Sequence, residues 1–372
     1  GIYFRRRNER GEWCGGAMYY LRDGLGSKKG CAGIGKVLAV LFSLFAVFAS
    51  FGIGNMGQVA SIKESVLNVV RFTGNDTTDG LIIGAVIVAV AALVIIGGIT
   101  RIARANERIV PFMAVFYIVG SLAIILSNAG MVIPAFGAIF KGAFSMRAAA
   151  GGIGGAVIKQ AITWGFKRGV FSNEAGLGSS VMVHSASNVK EPVTQGLWGI
   201  FEVFFDTILV CTMTALLILT SGIVDLETGA SLSGATKLGL ATEAFTAQFG
   251  TFGGIFIAVA VTLFAFSTVL GWSYYGTKAW EFLFGTKATI IYKVVFVVFI
   301  VFGATMNLNL AWDISDTFNG LMAIPNLIGV LTLSGTVIRI TKNYSARTFH
   351  GSTEKPMLSA FEDMQQEQER KL

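Results

Sequence analysis

Histidine, cysteine and charge are all scarce in this chain of 372 residues, which has two histidines, three cysteines and only 14% charged positions. A membrane enzyme would need a cluster of His, Asp or Glu with catalytic spacing near the interface. With His350 in the tail and His184 reading as a satisfied packing residue rather than a proton carrier, none is expected. Cys14, Cys31 and Cys211 have no metal-ligand spacing, and no disulfide is expected. No nucleophile–base pair stands out. The glycine-rich "GGIGGA" at 151–156 has neither a preceding strand nor a Lys-Ser/Thr ending, so it is no phosphate loop. The absence of a repeat of roughly 20–50 residues excludes a solenoid. Without a repeated filter or a ring of carboxylates, a channel is disfavoured. The chain opens "GIYFRRRNERGEW", with neither an initiator Met nor an apolar signal region. It is no targeting segment, and the chain reads as truncated at its front.

What fills the chain instead is apolar sequence: 53% of residues are hydrophobic and 30 are phenylalanine. This composition identifies an all-α integral membrane protein. Uncharged runs at 37–62, 80–100, 109–140 and 244–277 are each long enough to cross about 30 Å of hydrocarbon. Crossings at 193–222, 288–312 and 317–338 tolerate an occasional charge, and an interrupted segment at 151–187 makes about eight transmembrane segments. Between crossings, Lys and Arg number seven in 1–34, two in 63–79, three in 101–108, two in 141–150, one near Lys190, one in 223–243, two in 278–287, none in 313–316 and six from Arg339 onward. That alternation, with a tie at Lys190, places both termini in the cytoplasm and the loops near Arg71, Arg147, Lys237 and Asp313 outside. It also attributes the net charge of +7 to topology and not to nucleic acid. The expected division is a cytoplasmic approach at 1–34, a transmembrane domain at 35–342 and a cytoplasmic tail at 343–372 that is partly helical or disordered. The long connection at 224–250 is expected to hold a short helix that covers an entrance.

The polar stretch "FSNEAGLGSS" at 171–180 lies inside apolar sequence. A continuous helix would carry Gly176 and Gly178 near mid-membrane, each costing about 1 kcal/mol relative to Ala, beside the Glu174 carboxylate. A broken helix is expected, with carbonyls from Val170 to Glu174 facing a cation and amides from Gly178 to Val181 facing a carboxylate. The plainer reading is that the glycines allow close packing while Ser172 and Asn173 bond across helices. Lys167 and Arg168 either neutralise Glu174 or lie at a vestibule edge. In "FSTVLGWSYYG" (266–276), Ser267 and Thr268 offer adjacent hydroxyls to a small cation, or else bond back to their own helix. Trp272 shares a face with Thr268 and could wall a pocket. In "GIGNMGQ" (52–58), Asn55 and Gln58 share a face, free for a zwitterion or for cross-helix bonds. Glu202 and Asp206 form an i, i+4 acidic pair, either behind an ion site or paired with Lys167 or Arg168.

Taken together, "GGAMYYLRDGLG" (15–26), "FASFGIGNMGQ" (48–58), "RGVFSNEAGLGSS" (168–180), "AFSTVLGWSYYG" (265–276) and "NGLMAIPNL" (319–327) resemble the alanine or glycine:cation symporters, the sodium:alanine family of prokaryotes. The resemblance covers nearly the whole chain apart from the tail. It implies a leucine-transporter-type (LeuT-type) fold of two inverted five-helix repeats, carrying alanine or glycine with Na⁺ across the prokaryotic cell membrane. The interrupted segment would be the sixth core helix, and the crossing with Ser267 and Thr268 the eighth. The family's unwound first helix with a Thr-Gly-Asn motif, and the helix after it, have no counterpart here, so the crossings correspond to core helices three to ten. Ala17 stands where the family usually has Pro, and Ser180-Val181 where it usually has Ala-Pro. From residues and resemblance together, the expected substrate-binding residues are Asn55, Gln58, Phe171, Ser172, Asn173, Glu174, Gly176, Thr268 and Trp272. Those expected to bind sodium are Ser267, Thr268 and Glu174. Because the absent helix would supply further ligands, the chain expressed alone is expected to insert poorly and not to bind alanine.

Overall fold

The computed structural model describes residues 1–144 and 154–370. The loop near Arg147 and residues 151–153 of the 151–156 run lie outside the described residues. A two-stranded antiparallel hairpin, β1 (Arg6–Arg7) and β2 (Trp13–Cys14), precedes a short helix at Ala17–Tyr19 and a π-helical turn at Tyr20–Leu25. The membrane-length helices follow: α1 (Ala32–Leu67), α2 (Asp76–Ile95) and α3 (Ile99–Ser127). A shorter α4 covers Val132–Phe144. Next come α5 (Gly154–Asn173), the one-turn α6 (Val181–His184) and α7 (Pro192–Thr220). The remainder is α8 (Leu238–Phe249), α9 (Thr251–Phe284), α10 (Thr289–Thr305), α11 (Leu308–Thr332), α12 (Ser334–His350) and α13 (Glu362–Glu369).

Among the described residues, six helices are long and apolar enough to cross a membrane, or seven if α11 and α12, bent by 55°, count as one span. Their outer faces are apolar: Val86 is 61% exposed, Leu93 69% and Leu126 70%. Such side chains require a lipid solvent. The protein is a multi-pass membrane protein.

Backbone punctuation explains where the expected boundaries shift. The 109–140 run is interrupted at Asn128–Met131, where a 3-10 turn separates α3 from α4. The 244–277 run is divided at Gly250, whose positive φ ends α8 and begins α9. The loop expected at 313–316 is instead helical. The connection lies earlier, at Met306 and Asn307, and the Asn307 side chain caps α11 by accepting from the Asn309 amide at 2.9 Å. Asp313 is therefore a helix residue.

Helix α1 runs through the centre, packed against α9 and α11, while α10 packs on α2. Small residues permit these approaches: a Cβ on Gly303 would lie 2.7 Å from the Met56 Cα, and one on Gly80 would lie 2.5 Å from the Ala304 carbonyl oxygen. A second core joins α3, α7, α8 and the first half of α9 around Tyr117, Leu217, Phe245 and Ile257. The tail is ordered against the body, with Leu358 fully buried and the Ala360 amide donating to the Tyr3 carbonyl at 2.8 Å. The two ends of the chain thus lie on the same side of the molecule.

Candidate functional site

Helix α5 ends at Asn173, and regular helix resumes only at Val181. Between them Glu174 adopts φ 55°, Gly176 φ 89° and Gly178 φ 83°. Three left-handed residues in five turn the backbone out of the helix, at a non-glycine cost of about 1–3 kcal/mol for Glu174. The loosened groups are held by side chains. The Asn173 carboxamide oxygen accepts from the Ala175 amide at 2.9 Å, and the Ser179 hydroxyl donates to Glu174 Oε2 at 2.7 Å. The Gly176 carbonyl accepts from Asn326 Nδ2 at 2.8 Å, and Tyr20 donates its hydroxyl to Asn326 Oδ1. Leu177, Gly178 and Ser179 are buried, whereas Ser172 and Ala175 are exposed. The lower half of the interrupted helix is a single turn, so its amides do not form the strong dipole end expected to face a carboxylate.

Three π-helical stretches surround this break, and such bulges concentrate at functional positions because they re-aim side chains and loosen carbonyls. The stretch at Phe205–Cys211 within α7 presents Asp206 and Thr207. Ser172 donates to both Asp206 carboxylate oxygens at 2.7 and 2.9 Å, and Asn173 Nδ2 donates to the Thr207 hydroxyl at 3.1 Å. The stretch at Tyr20–Leu25 supplies Tyr20. The third, Gly52–Met56 in α1, packs Gly54 directly against the Trp272 side chain. Trp272 and Tyr275 of α9 in turn face the Glu174 carboxyl. The sequence-selected Phe171, Ser172, Asn173, Glu174, Gly176 and Trp272 therefore lie around one locus.

The other selected residues are placed more loosely. Asn55 is fully buried; its Nδ2 donates to the Phe296 carbonyl at 2.6 Å, and its Oδ1 has no hydrogen-bond partner among the described residues. Gln58 Nε2 donates to the Ile53 carbonyl at 3.0 Å, within the π stretch. Ser267 and Thr268 both donate to the Phe264 carbonyl at 2.9 Å, and Ser267 also lies 3.6 Å from the Met113 sulfur. Their oxygen lone pairs remain available.

The charged residues find other partners than those considered. Arg168 forms 2.5 and 2.6 Å contacts to Asp316 of α11, with Lys167 at 3.8 Å, so neither is paired with Glu174. The Arg168 guanidinium also lies 5.1 Å over both Phe171 and Trp312. Glu202 lies 3.1 Å from His184, whose other ring nitrogen is 2.7 Å from Gln195. His184 is satisfied by polar partners. Sequence reasoning missed Tyr20, Tyr275, Thr207 and Asn326. Three of these, Tyr20, Tyr275 and Asn326, lie in quoted motifs, but the Tyr20–Asn326 pairing spans 306 positions and leaves no local signal.

A helix break lined by carboxamides, hydroxyls and a carboxylate is the kind of site a transporter builds. The chain belongs to the sodium:alanine symporter family, whose model matches residues 1–358. It is 45% identical to the sodium/alanine symporter AgcS of Methanococcus maripaludis over 92% of this chain and 72% of that protein. It is 35% identical to the probable sodium/glutamine symporter GlnT of Bacillus subtilis over 89% and 64% of the respective chains. A sodium/proton-dependent alanine carrier protein of a Bacillus species is 35% identical over 73% and 63%. Family membership makes the protein a cation-coupled amino-acid symporter.

Proposed function

We propose that this protein is a sodium-coupled symporter of a small neutral amino acid, alanine or glycine, working by alternating access on a LeuT-type inverted-repeat scaffold. The observation that carries the reading is the break at 174–180, where left-handed residues expose backbone beside Glu174 and three π-helical stretches converge on it. Backbone leaves helical geometry at membrane depth only where it lines a polar cavity, and such a cavity can solvate a zwitterion and a cation together. In this reading Phe171, Ser172, Asn173, Glu174 and Gly176 contact the substrate. Asn55 and Gln58 supply carboxamides, and Thr268 and Trp272 bound its side chain. Ser267, Thr268 and Glu174 supply hard oxygen ligands to Na⁺. A membrane potential adds about 2.3 kcal/mol per co-transported charge per 100 mV. Both ends of the chain face the cytoplasm of a prokaryotic cell: they pack together, and they carry seven and six basic residues.

A second reading, proton coupling, is favoured by one feature, the Glu174 carboxyl in the break, which can hold a proton in place of a cation. Uptake of radiolabelled alanine into membrane vesicles separates the two. An imposed Na⁺ gradient is expected to drive accumulation at constant pH, and a K⁺ gradient is expected to leave it at the equilibrium level. Accumulation driven by a pH gradient in Na⁺-free buffer would replace sodium by protons.

A further inference from the structure

The segment from 185 to 191, which leads out of the broken helix, is gripped at both ends by arginines. Arg5, beside β1, is 2% exposed. Its Nη1 donates to the Ser187 carbonyl at 2.7 Å and the Ser185 carbonyl at 3.2 Å, and its Nη2 to the Val189 carbonyl at 2.8 Å. A rigid, permanently charged fork suits three converging carbonyls in a way a lysine ammonium does not. Burial lowers the Arg5 pKa to about 10, so the group stays charged at neutral pH. At the other end, Arg347 of α12 holds the Glu191 carboxylate at 2.8 and 3.0 Å.

The hairpin that carries Arg5 is seated on the same turn. Gly15 lies against Ser185 and Gly16 against Met182, approaches that only glycine permits, and a Cβ on Gly178 would lie 3.1 Å from the Ala17 Cβ. The tail closes over the assembly. Gln368 of α13 is 3% exposed and offers Oε1 to Arg5 at 3.3 Å, Arg7 contacts Glu367 at 3.0 Å, and Arg6 stacks 3.7 Å over Phe361. Alternating access requires the one-turn α6 and the chain after it to move on the side where the termini lie, yet there the backbone is tied to two elements distant in sequence.

We propose that Arg5, completed by Gln368 of the C-terminal helix, is a positioning residue for transport: it latches the inner end of the broken helix shut, and the site opens to the side of the termini only when this latch releases. The latch makes the tail a strap that sets how often the inner side opens. The proposal rests on the symport reading above, and its test has one arm that does not require transport.

The first arm is backbone hydrogen exchange across 185–191 in the purified protein. Arg5→Ala is expected to speed exchange there by about ten-fold or more, and Gln368→Ala to act in the same direction but less. Exchange in α2 is expected to stay unchanged. The second arm is kinetic. Loosening the latch depletes the outward-facing state, so the KM for external alanine should rise by about five-fold or more, while Vmax per molecule changes by less than about two-fold. A merely structural role would lower the amount of protein and leave KM in place. Arg5→Lys and Gln368→Ala serve where Arg5→Ala fails to fold. Unchanged exchange at 185–191 in these variants, or an unchanged KM beside faster exchange, overturns the proposal. Faster exchange in a protein that accumulates no amino acid under any gradient instead overturns the symport reading and leaves the latch standing.

Discussion

Ser267 and Thr268 illustrate how much a pair of neighbouring hydroxyls can and cannot say. Each spends its proton on the Phe264 carbonyl at 2.9 Å, a back-bond common in membrane helices, and each keeps lone pairs that a cation could use. If they ligate Na⁺, replacing both with Ala removes two hard oxygen ligands and raises the Na⁺ concentration for half-maximal uptake by about ten-fold or more, while uptake at saturating Na⁺ changes by less than about two-fold. A Na⁺ titration of initial uptake rates checks this, and equal half-saturation in variant and parent would remove both from the ion site. Glu174, Gly176 and Gly178 were legible because two glycines beside a carboxylate are too costly for a continuous membrane helix. Asn326 was not, because its bond to the Gly176 carbonyl joins residues 150 positions apart. The same distance hid the Arg168–Asp316 pair, separated by 148 positions.

Elements were read with uneven success, and the reasons differ. Apolar runs located α1, α2, α7 and α9 because lipid demands a predominantly apolar span, even where α7 admits Glu202 and Asp206. The same runs conceal a boundary that one residue creates, such as the positive φ of Gly250 or the Asn307 cap. The π-helical stretches have no composition of their own, so nothing marked Phe205–Cys211 as different from the helix on either side. Yet that stretch decides what α7 presents: Asp206 and Thr207 hold Ser172 and Asn173 at the end of α5. Asp206→Ala removes the charged acceptor of the Ser172 hydroxyl's hydrogen bond, worth roughly 1.5–3 kcal/mol. The expected outcome is at least a ten-fold loss of alanine uptake per molecule, with the amount of inserted protein within about two-fold of the parent. Uptake counts normalised to protein in the membrane measure this, and wild-type uptake would show that α7 does not position the break.

At the scale of the molecule, termini and site form one mechanical unit. The hairpin at 6–14, the tail at 352–370 and the turn at 181–191 are bound to each other, and the hairpin is tied to α9 as well, through Asn8 to Glu281 and Glu12 to Lys278. Composition marked these ends as polar and basic without indicating that they pack together, because charge counts report which side a segment lies on and not what it touches. The central claim is that the amino acid binds at the break between α5 and α6, where Gly176 has φ 89° and only Leu327, at 3.5 Å, would meet an added Cβ. That open space makes Gly176→Leu the most direct probe. The measurement is equilibrium binding of radiolabelled alanine, in Na⁺ and in K⁺, to purified parent and variant, each supplied with the front helices without which the chain alone is expected not to bind. The account predicts Na⁺-dependent binding to the parent and its loss in Gly176→Leu, with the variant inserted in the membrane in comparable amount. Unchanged affinity in Gly176→Leu would contradict it and place the substrate elsewhere in the protein.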